Sequence, residues 1–336
     1  MNRGKLIAAL FLLVAAVVIG GCGGEDGSPS TLTPTPTPTQ MPTPTPTAEP
    51  GADRINSIPV DAVKVTPEND EFPPILHSED YLEPVPLSYP VNTAGAEDSA
   101  FITPDGRTLY IWFTPDPSIP AIEQLVDGVT GIYVTEWSDG GWGPVTRVTL
   151  QEPGKLALDG CVFVQGNTTW FCSAHEGYDG LNWFMAEYIE GEWRDWQYAG
   201  DLLNKEYRIG EMHITADGQE LYFHSHTEPY DIWVSENQGG RWQQPEPVEV
   251  VNSPVTDGWP FVTEDGQELW FTRFYQGAPA IFRSTRVAGE WQEPELIISH
   301  FAAEPSLDRE GNIYFSHHFF VNGEMVESDI YVAYRK

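Results

Sequence analysis

An all-β fold is the class that the sequence predicts, and three observations predict it. The 336 residues include 31 Gly and 29 Pro, which interrupt long helices but suit short strands joined by turns. The chain also carries 16 Phe, 14 Tyr and 12 Trp, enough aromatic surface for an extensive core. Finally, one pattern of a turn and an aromatic strand recurs through the C-terminal part of the chain, which indicates a repetitive architecture.

The charge of the chain narrows the class of partner. Fifty Asp and Glu against 17 Lys and Arg give a formal net charge of −33. A surface of this sign repels phosphate backbones and anionic lipid headgroups. Nucleic acid is therefore excluded as a partner.

Residues 1–21 have the features of a bacterial secretory signal peptide. A basic start is followed by an apolar run at 6–19, which is shorter than the roughly 20 residues that span a bilayer. The run ends at Ile19, Gly20, Gly21 and Cys22, which resembles a lipobox. The resemblance implies that Cys22 becomes the lipidated first residue, so that a lipid anchor holds the protein on a cell membrane outside the cytoplasm.

Two segments separate this signal from the repeats. Residues 22–52 are rich in alternating Thr and Pro, which cannot form a core and favours an extended, disordered stalk of about 3 Å per residue. Residues 53–82 contain apolar side chains without a clear period, so we treat them as a lead-in segment. The folded domain is expected at 83–336.

The repeats predict a five-bladed β-propeller with four antiparallel strands per blade. The clearest copies of the first half of the unit lie at 103–111, 215–223 and 263–271, and degenerate copies surround Gly166 and Gly311. The turn glycines of successive copies are 60, 52, 48 and 45 residues apart. Periods of about 40–50 residues with four strands per unit are typical of a propeller. The fifth unit ends after its third strand, and the segment at 83–92 matches the missing fourth. We therefore expect this N-terminal strand to complete the last blade and close the ring.

These motifs resemble a known group of repeats. A Pro-Asp-Gly turn at 104–106, Leu-Tyr-Phe at 221–223, Asp-Ile-Trp-Val-Ser at 231–235 and Gly-Gly-Arg-Trp at 239–242 look like the TolB-like, WD-type β-propeller repeats of bacterial envelope proteins. The resemblance covers residues 83–336. It implies a fold but no single function, since propellers include binding modules and enzymes.

Two cysteines in the second unit favour a disulfide. Cys161 and Cys172 are equally distant from the predicted turn at Gly166 and Asn167, so they should lie opposite each other on one hairpin. An extracytoplasmic location permits the bond, and the alternative is a pair of buried thiols. No metal site is expected from this pair.

The candidate binding site is a column of residues near the start of the first strand of each unit, where propellers place ligands. The aligned positions are Ser99, Asp159, Glu211, Trp259 and Glu304, and the neighbouring candidates are Glu97, Asp98 and Asp257. Converging carboxylate oxygens would also suit a cationic ligand, so Ca²⁺ is left open although no cofactor is expected. The alternative for every member is a solvated or turn-capping carboxylate.

Two further groups of side chains, histidines and aromatic residues, have the chemistry to bind a ligand. His213, His224 and His226 cluster on one hairpin but are expected to be polar strand residues rather than a metal site. Aromatic residues that could contact a ligand at one mouth are Trp112, Trp183, Tyr230, Trp259 and Tyr275, each of which could instead pack between blades.

The preferred interpretation is a lipid-anchored, extracytoplasmic binding module whose ligand is a glycan, a peptide or an envelope protein. The alternative is a glycoside hydrolase of the five-bladed type, with Asp98, Asp159 and Glu211 as its acidic residues. The two differ in geometry, because a hydrolase needs a pair of carboxyl groups with one pKa raised.

Overall fold

The structure is a computed structural model that describes residues 54–152, 154–225 and 229–336. The predicted signal peptide, the lipidation site at Cys22 and the stalk lie outside the described residues. The all-β class is confirmed: within the described residues, 23 strands are accompanied by one short helix, α1 (Ala121–Asp127), and one π-helical turn at Leu202–Tyr207.

The strands form antiparallel sets of three to five strands that follow one another along the chain. Two short strands come first, β1 (Ile75–Leu76) and β2 (Val85–Pro86). The first set contains β3 (Ala96–Ile102), β4 (Thr108–Thr114), β5 (Gly131–Ser138), the short β6 (Gly141–Trp142) paired with the end of β5, and β7 (Thr146–Arg147). The second contains β8 (Ala157–Gln165), β9 (Thr168–His175), β10 (Asn182–Ile189) and β11 (Glu192–Tyr198).

The later sets repeat this order. The third contains β12 (Ile209–Ile214), β13 (Glu220–Ser225), β14 (Ile232–Glu236) and β15 (Glu246–Pro247). The fourth contains β16 (Asp257–Val262), β17 (Glu268–Tyr275), β18 (Ala278–Val287), the short β19 (Glu290–Trp291) and β20 (Glu295–Ser299). The fifth contains β21 (Ala302–Leu307), β22 (Ile313–Val321) and β23 (Glu324–Ala333).

The N-terminal strand β2 lies beside the last strand of the chain. Val85 pairs with Val332 and Pro86 with Tyr331, so β2 supplies a fourth strand to the fifth set. The first and fifth sets also meet directly, because Ala96 of β3 forms a parallel bridge with Ser328 of β23. They therefore belong to one nine-stranded sheet.

A Thr-x-Asp-Gly turn explains why the repeat has its sequence. Asp105 accepts hydrogen bonds from the Thr103 hydroxyl at 2.7 Å and from the Arg107 N–H at 3.1 Å. The Thr103 hydroxyl oxygen in turn accepts from the Thr108 N–H at 3.0 Å, where β4 begins. The same bonds recur around Asp217 and Asp265. The glycine follows at positive φ, 69° at Gly106, which only glycine adopts readily.

The first strand of every set contains a β-bulge, at the equivalent position in four sets and one residue earlier in β12. The ladder register shifts between Asp98 and Phe101 in β3, and again after Gly160, Ile209, Gly258 and Ala303 in the other sets. In four of them one bulged residue has positive φ, namely 48° at Ser99, 51° at Cys161, 53° at Trp259 and 55° at Glu304. A bulge bends its strand and redirects a side chain. The bulges therefore define one position in each set at which side chains leave the regular pleat.

The lead-in segment is packed against the sets. We call residues 54–77 the strap, because they run from Arg54, buried beside Glu97 of β3, to β1, which pairs with β20 as an additional edge strand. Lys64, midway along the strap, forms ion pairs with Glu327 and Asp329 of β23. The strap thus contacts the first, fourth and fifth sets.

Candidate functional site

The bulges bring acidic side chains from three sets together with a histidine. We call Asp98, Ser99, Glu211, Glu304 and His318 the bulge cluster. Nε2 of His318 lies 3.2 Å from both carboxylate oxygens of Asp98, and the Ser99 hydroxyl donates to Glu304 at 2.5 Å. The cluster therefore combines β3 of the first set, β12 of the third and two strands of the fifth.

The regular strand beside the bulge completes this geometry. Ser316 and His318 lie two residues apart on β22, so they share one face of the strand. The Ser316 hydroxyl oxygen accepts a hydrogen bond from the Ser99 N–H at 3.0 Å. This bond holds the bulge of β3 against β22 and keeps Asp98 next to His318.

The carboxyl groups of the bulge cluster differ in charge. Burial would raise the pKa of Asp98, but the charge of His318 and hydrogen bonds from His318, Ser316 and the Ser99 N–H hold that pKa below its ordinary value. For Glu211, burial and the nearby negative charge of Asp98 raise the pKa to about 8, despite a hydrogen bond from the Trp259 side chain. At neutral pH Asp98 is ionised and Glu211 carries a proton.

Burial and neighbouring charges also shift the pKa values of Glu304 and His318. Burial, followed by the negative charges of Asp98 and Glu211, raises the pKa of Glu304 well above its ordinary value. Burial would lower the pKa of His318, but Asp98 and Glu304 together raise it. Burial therefore favours the protonated form of Glu211 and of Glu304, whereas the contact between Asp98 and His318 favours the charged form of both partners.

An aromatic group adjoins Glu211. The His224 ring lies 4.9 Å from the ring of Tyr230 and 5.1 Å from that of Trp259, and the last two rings are 5.9 Å apart. Gly210 makes room for His224, since a Cβ at this position would lie only 2.1 Å from the imidazole. Trp259 is partly exposed, so the group offers an aromatic surface beside the carboxyl groups.

Two of the predicted ligand-binding carboxylates have structural partners instead. Glu97 is fully buried, pairs with Arg54 and accepts from the Thr93 N–H at 2.8 Å. Asp257 is also fully buried and accepts from Arg273 at 2.5 Å. Asp257 also accepts hydrogen bonds from the N–H and the hydroxyl group of Ser253, both at 2.7 Å. Both carboxylates fix the loop that enters their strand, and neither hydrogen-bonds to the bulge cluster among the residues described.

Asp159, a third predicted carboxylate, is also buried against a partner within its own set. It lies opposite Ser173, whose hydroxyl donates to it at 2.6 Å, and it is fully buried. The sequence alignment placed Asp159 beside Glu211, but the bulge of β8 begins two residues later, so Cys161 is the true equivalent. The alignment slipped because the second unit lacks the Thr-x-Asp-Gly turn that marks the register in the first, third and fourth units.

Cys161 and Cys172 are joined by a disulfide with Cα atoms 5.4 Å apart. Their register differs from the symmetric pairing that the sequence suggested. The bulge makes Gly160 the ladder partner of Cys172, and Cys161 reaches across from the bulge itself. The disulfide therefore ties the bulge of the second set to its neighbouring strand.

The two described members of the histidine trio, His213 and His224, have different aromatic surroundings. His213 packs between Phe163 and Phe261, with ring centroids at 5.2 and 4.5 Å, and burial lowers its pKa to about 3. His224 belongs to the aromatic group, and His226 lies outside the described residues. Within residues 54–152, 154–225 and 229–336, no three His, Cys, Asp or Glu side chains are arranged to hold a metal ion.

The predicted aromatic contacts separate into two groups. Trp259 and the buried Tyr230 adjoin the bulge cluster. Trp112 and Trp183 are also buried, and Tyr275 packs edge-on against a neighbouring ring. His318 was missed because its pairing with Asp98 joins positions 220 residues apart. The alternation that places Ser316 and His318 on one face was the available signal. No helix in the described part of the chain is both long and apolar enough to cross a membrane.

Comparisons with known proteins give distant likenesses. No protein-family model matches the chain, and no curated protein matches it. Among solved structures, TolB from Acinetobacter baumannii is similar with a TM-score of 0.41 and 12% identity over 73% of this chain, which spans only 56% of that structure. A gluconolactonase from Xanthomonas campestris has a TM-score of 0.42 and 12% identity, with 79% of this chain and 95% of that one covered.

A glycoside hydrolase with endo-xylanase and exo-arabinofuranosidase activity gives a similar value. Its TM-score is 0.42 at 13% identity, over 70% of this chain and 50% of that one. Likenesses at this level assign no activity to the chain.

Proposed function

We propose that the chain is an extracytoplasmic, lipid-anchored binding module, built as a closed five-bladed β-propeller, whose bulge cluster binds a glycan. The ring proposal is supported by the repeated antiparallel sets and by the pairing of β2 with β23. Each set would form one blade, and the five bulges would face a common channel.

The anchoring proposal rests on the sequence of the N-terminus. The apolar run and the lipobox-like end at Cys22 support it, and the Thr/Pro-rich stalk would hold the domain away from the membrane. Cys22→Ala should release the processed protein into the soluble fraction. Retention of the processed variant on membranes would contradict the proposal.

The combination of carboxyl groups with an aromatic surface supports a glycan as the ligand. An ionised Asp98 accepts hydrogen bonds from sugar hydroxyls, and the protonated Glu211 both donates and accepts. Trp259 is partly exposed and offers a face on which the C–H side of a sugar ring can pack, and the buried ring of Tyr230 supports it edge-on. This pairing of polar and aromatic groups is the observation that carries the proposal.

A specific observation also favours glycoside hydrolysis as a second candidate function. Asp98 and Glu211 differ in protonation at neutral pH, and a hydrolase requires one carboxylic acid to protonate the leaving group and one carboxylate to act as base or nucleophile. In that case Glu211 would be the acid and Asp98 the base or nucleophile.

A polysaccharide array probed with the full chain separates the two functions. We would measure both retained protein and released reducing ends, with and without Ca²⁺, for wild type, Glu211→Gln, Asp98→Asn and the exposed control Glu290→Gln. Retention without release, weakened by the first two variants and not by the control, is expected.

Each other outcome has a defined meaning. Release of sugar that disappears in Glu211→Gln would favour the hydrolase and contradict the pure binding module. No retention and no release would contradict a glycan ligand and favour a peptide or envelope protein. Retention only with Ca²⁺ would make the ion part of the site.

A further inference from the structure

A cavity lies between the strap and the strands of the fifth set, and none of the residues that line it belongs to the bulge cluster. Its volume is about 590 Å³, within the range of binding pockets for small ligands and short peptide segments. One wall is the middle of the strap, around Lys64. The opposite wall is the hairpin of β22 and β23, together with the loop that follows β4.

The strap wall is fixed in place by ion pairs and hydrogen bonds. Lys64 donates to Glu327 and to Asp329 at 2.5 Å, and the Val65 N–H donates to Glu327 at 2.9 Å. Further along the strap, Asp70 hydrogen-bonds to His317 at 2.8 Å. These contacts bury carboxylates of the fold under the strap, so the cavity has a preformed shape.

The hairpin wall supplies an apolar surface. Phe319 and Phe320 are buried beneath it, while Val321 and Val326 stand 52% and 41% exposed at the hairpin tip. On the strap side, Val63 lines the same cavity and is 78% exposed. Exposed aliphatic side chains on facing walls indicate a surface that excludes water when a partner binds.

The rim of the cavity is acidic. Asp61, Glu71 and Asp116 line it, and Asp70 lies behind them. Of the described residues that line the cavity, Lys64 alone carries a positive charge, and its ammonium group is already paired with Glu327 and Asp329. The rim therefore presents negative charge that complements a basic partner.

We propose that this cavity is a docking site for a short protein segment in which lysine or arginine alternates with aliphatic residues. The aliphatic side chains pack against Val321, Val326 and Val63, and the basic side chains extend to the acidic rim. Extended peptides present alternate side chains to opposite sides, which suits one apolar and one charged contact surface. The site is separate from the glycan site proposed above.

A labelled peptide titration tests the proposal on the full chain. The probe is an acetylated hexapeptide of alternating lysine and leucine, compared with glutamate–leucine and lysine–serine versions, and binding is followed by fluorescence anisotropy. We expect only the lysine–leucine peptide to bind, and its affinity to fall several-fold as salt is raised from low to molar concentration.

Substitutions locate the binding. Val326→Lys should weaken the lysine–leucine peptide by about tenfold or more. The matched control Val287→Lys, an aliphatic residue 58% exposed on the fourth set, should leave its affinity unchanged. Val321→Lys is a second variant should Val326→Lys fail to fold, and denaturation midpoints check folding in each case.

Three results would overturn the proposal. The first is equal affinity of the peptide for Val326→Lys and Val287→Lys. The second is equal binding of the glutamate–leucine peptide. The third is a concentration-dependent dimer of the wild-type chain that Val326→Lys abolishes, which would make a second copy the occupant.

Discussion

Two groups of carboxylates lie near the bulge on the first strands of different sets, yet they have different surroundings. Glu97 and Asp257 precede the bulges, are fully buried and each face an arginine and the donors of an incoming loop. Glu211 and Glu304 sit in the bulges and are partly exposed, and no arginine or lysine of the described chain pairs with them. A buried acid with a full set of partners maintains architecture, whereas an acid short of cations is available to a ligand.

The largest expected effect concerns the architectural group. Arg273→Ala leaves Asp257 buried without its cation, so we expect the free energy of unfolding to fall by about 3–5 kcal/mol. Urea denaturation of the variant measures it. Asp257→Asn combined with Arg273→Ala should recover part of the loss, and a single variant as stable as wild type would place Asp257 outside the architectural group.

A smaller effect of opposite sign is expected in the bulge cluster. The pKa of Glu211 is about 8 in the folded protein, above its ordinary value of 4.5. The stability that comes from its bound proton is complete below about pH 4.5 and is lost as the pH rises through 8. Glu211→Gln lacks this loss, so at pH 9 it should be more stable than wild type by roughly 1–3 kcal/mol.

Urea denaturation at pH 5 and pH 9 checks this sign. The gain of Glu211→Gln should shrink toward zero at pH 5, and the exposed control Glu290→Gln should show no such pH dependence. A destabilisation at pH 9 would mean that Glu211 is ionised and paired, like Glu97.

A still smaller change tests the coupling within the cluster. Asp98→Asn removes the negative charge that holds a proton on His318 and on Glu211, so the pKa of both groups should fall. NMR titration of the His318 ring follows the first of these. An unchanged pKa of His318 would show that Asp98 is not its counter-ion.

The smallest effect is expected at an exposed ion pair. Arg309 lies 2.7 Å from Glu264, but both side chains are largely solvated. Water and salt screen such pairs, so Arg309→Ala should leave the unfolding midpoint unchanged within error. A clear loss of stability would show that an exposed ion pair also stabilises the fold, which would contradict the distinction between buried and exposed carboxylates.

Local patterns in the sequence predicted much of the fold. The Thr-x-Asp-Gly turns act over five residues and leave a readable motif, so the all-β class and the succession of strand sets followed. Glu211 and Trp259 were placed in one column because their units carry that turn, and Glu304 joined them because its unit keeps the turn glycine at Gly311. Asp159 was placed two residues away from the true position because its unit lacks it.

The remaining features depend on partners far apart in the chain. No local sequence pattern pairs Glu97 with Arg54 or His318 with Asp98. These contacts arise when the strap packs on the first set and when the first and fifth sets pack together. A bulge adds one residue without a composition signal, so the sequence could not separate Glu97 from Asp98 by role. The strap was similarly hidden, since its contacts are single ionic and aromatic anchors rather than a periodic pattern.

The repeated bulge has a consequence for how such a protein diversifies. The ladder bonds on either side of each bulge are made by the backbone, so the residue at the kink contributes little to the folding of its set. Serine, cysteine, tryptophan and glutamate already occupy equivalent kinks in this one chain. In the proposed binding module, exchanging Ser99, Trp259 and Glu304 among their sets would alter ligand preference at little cost to folding, whereas its disulfide holds Cys161 in the second set.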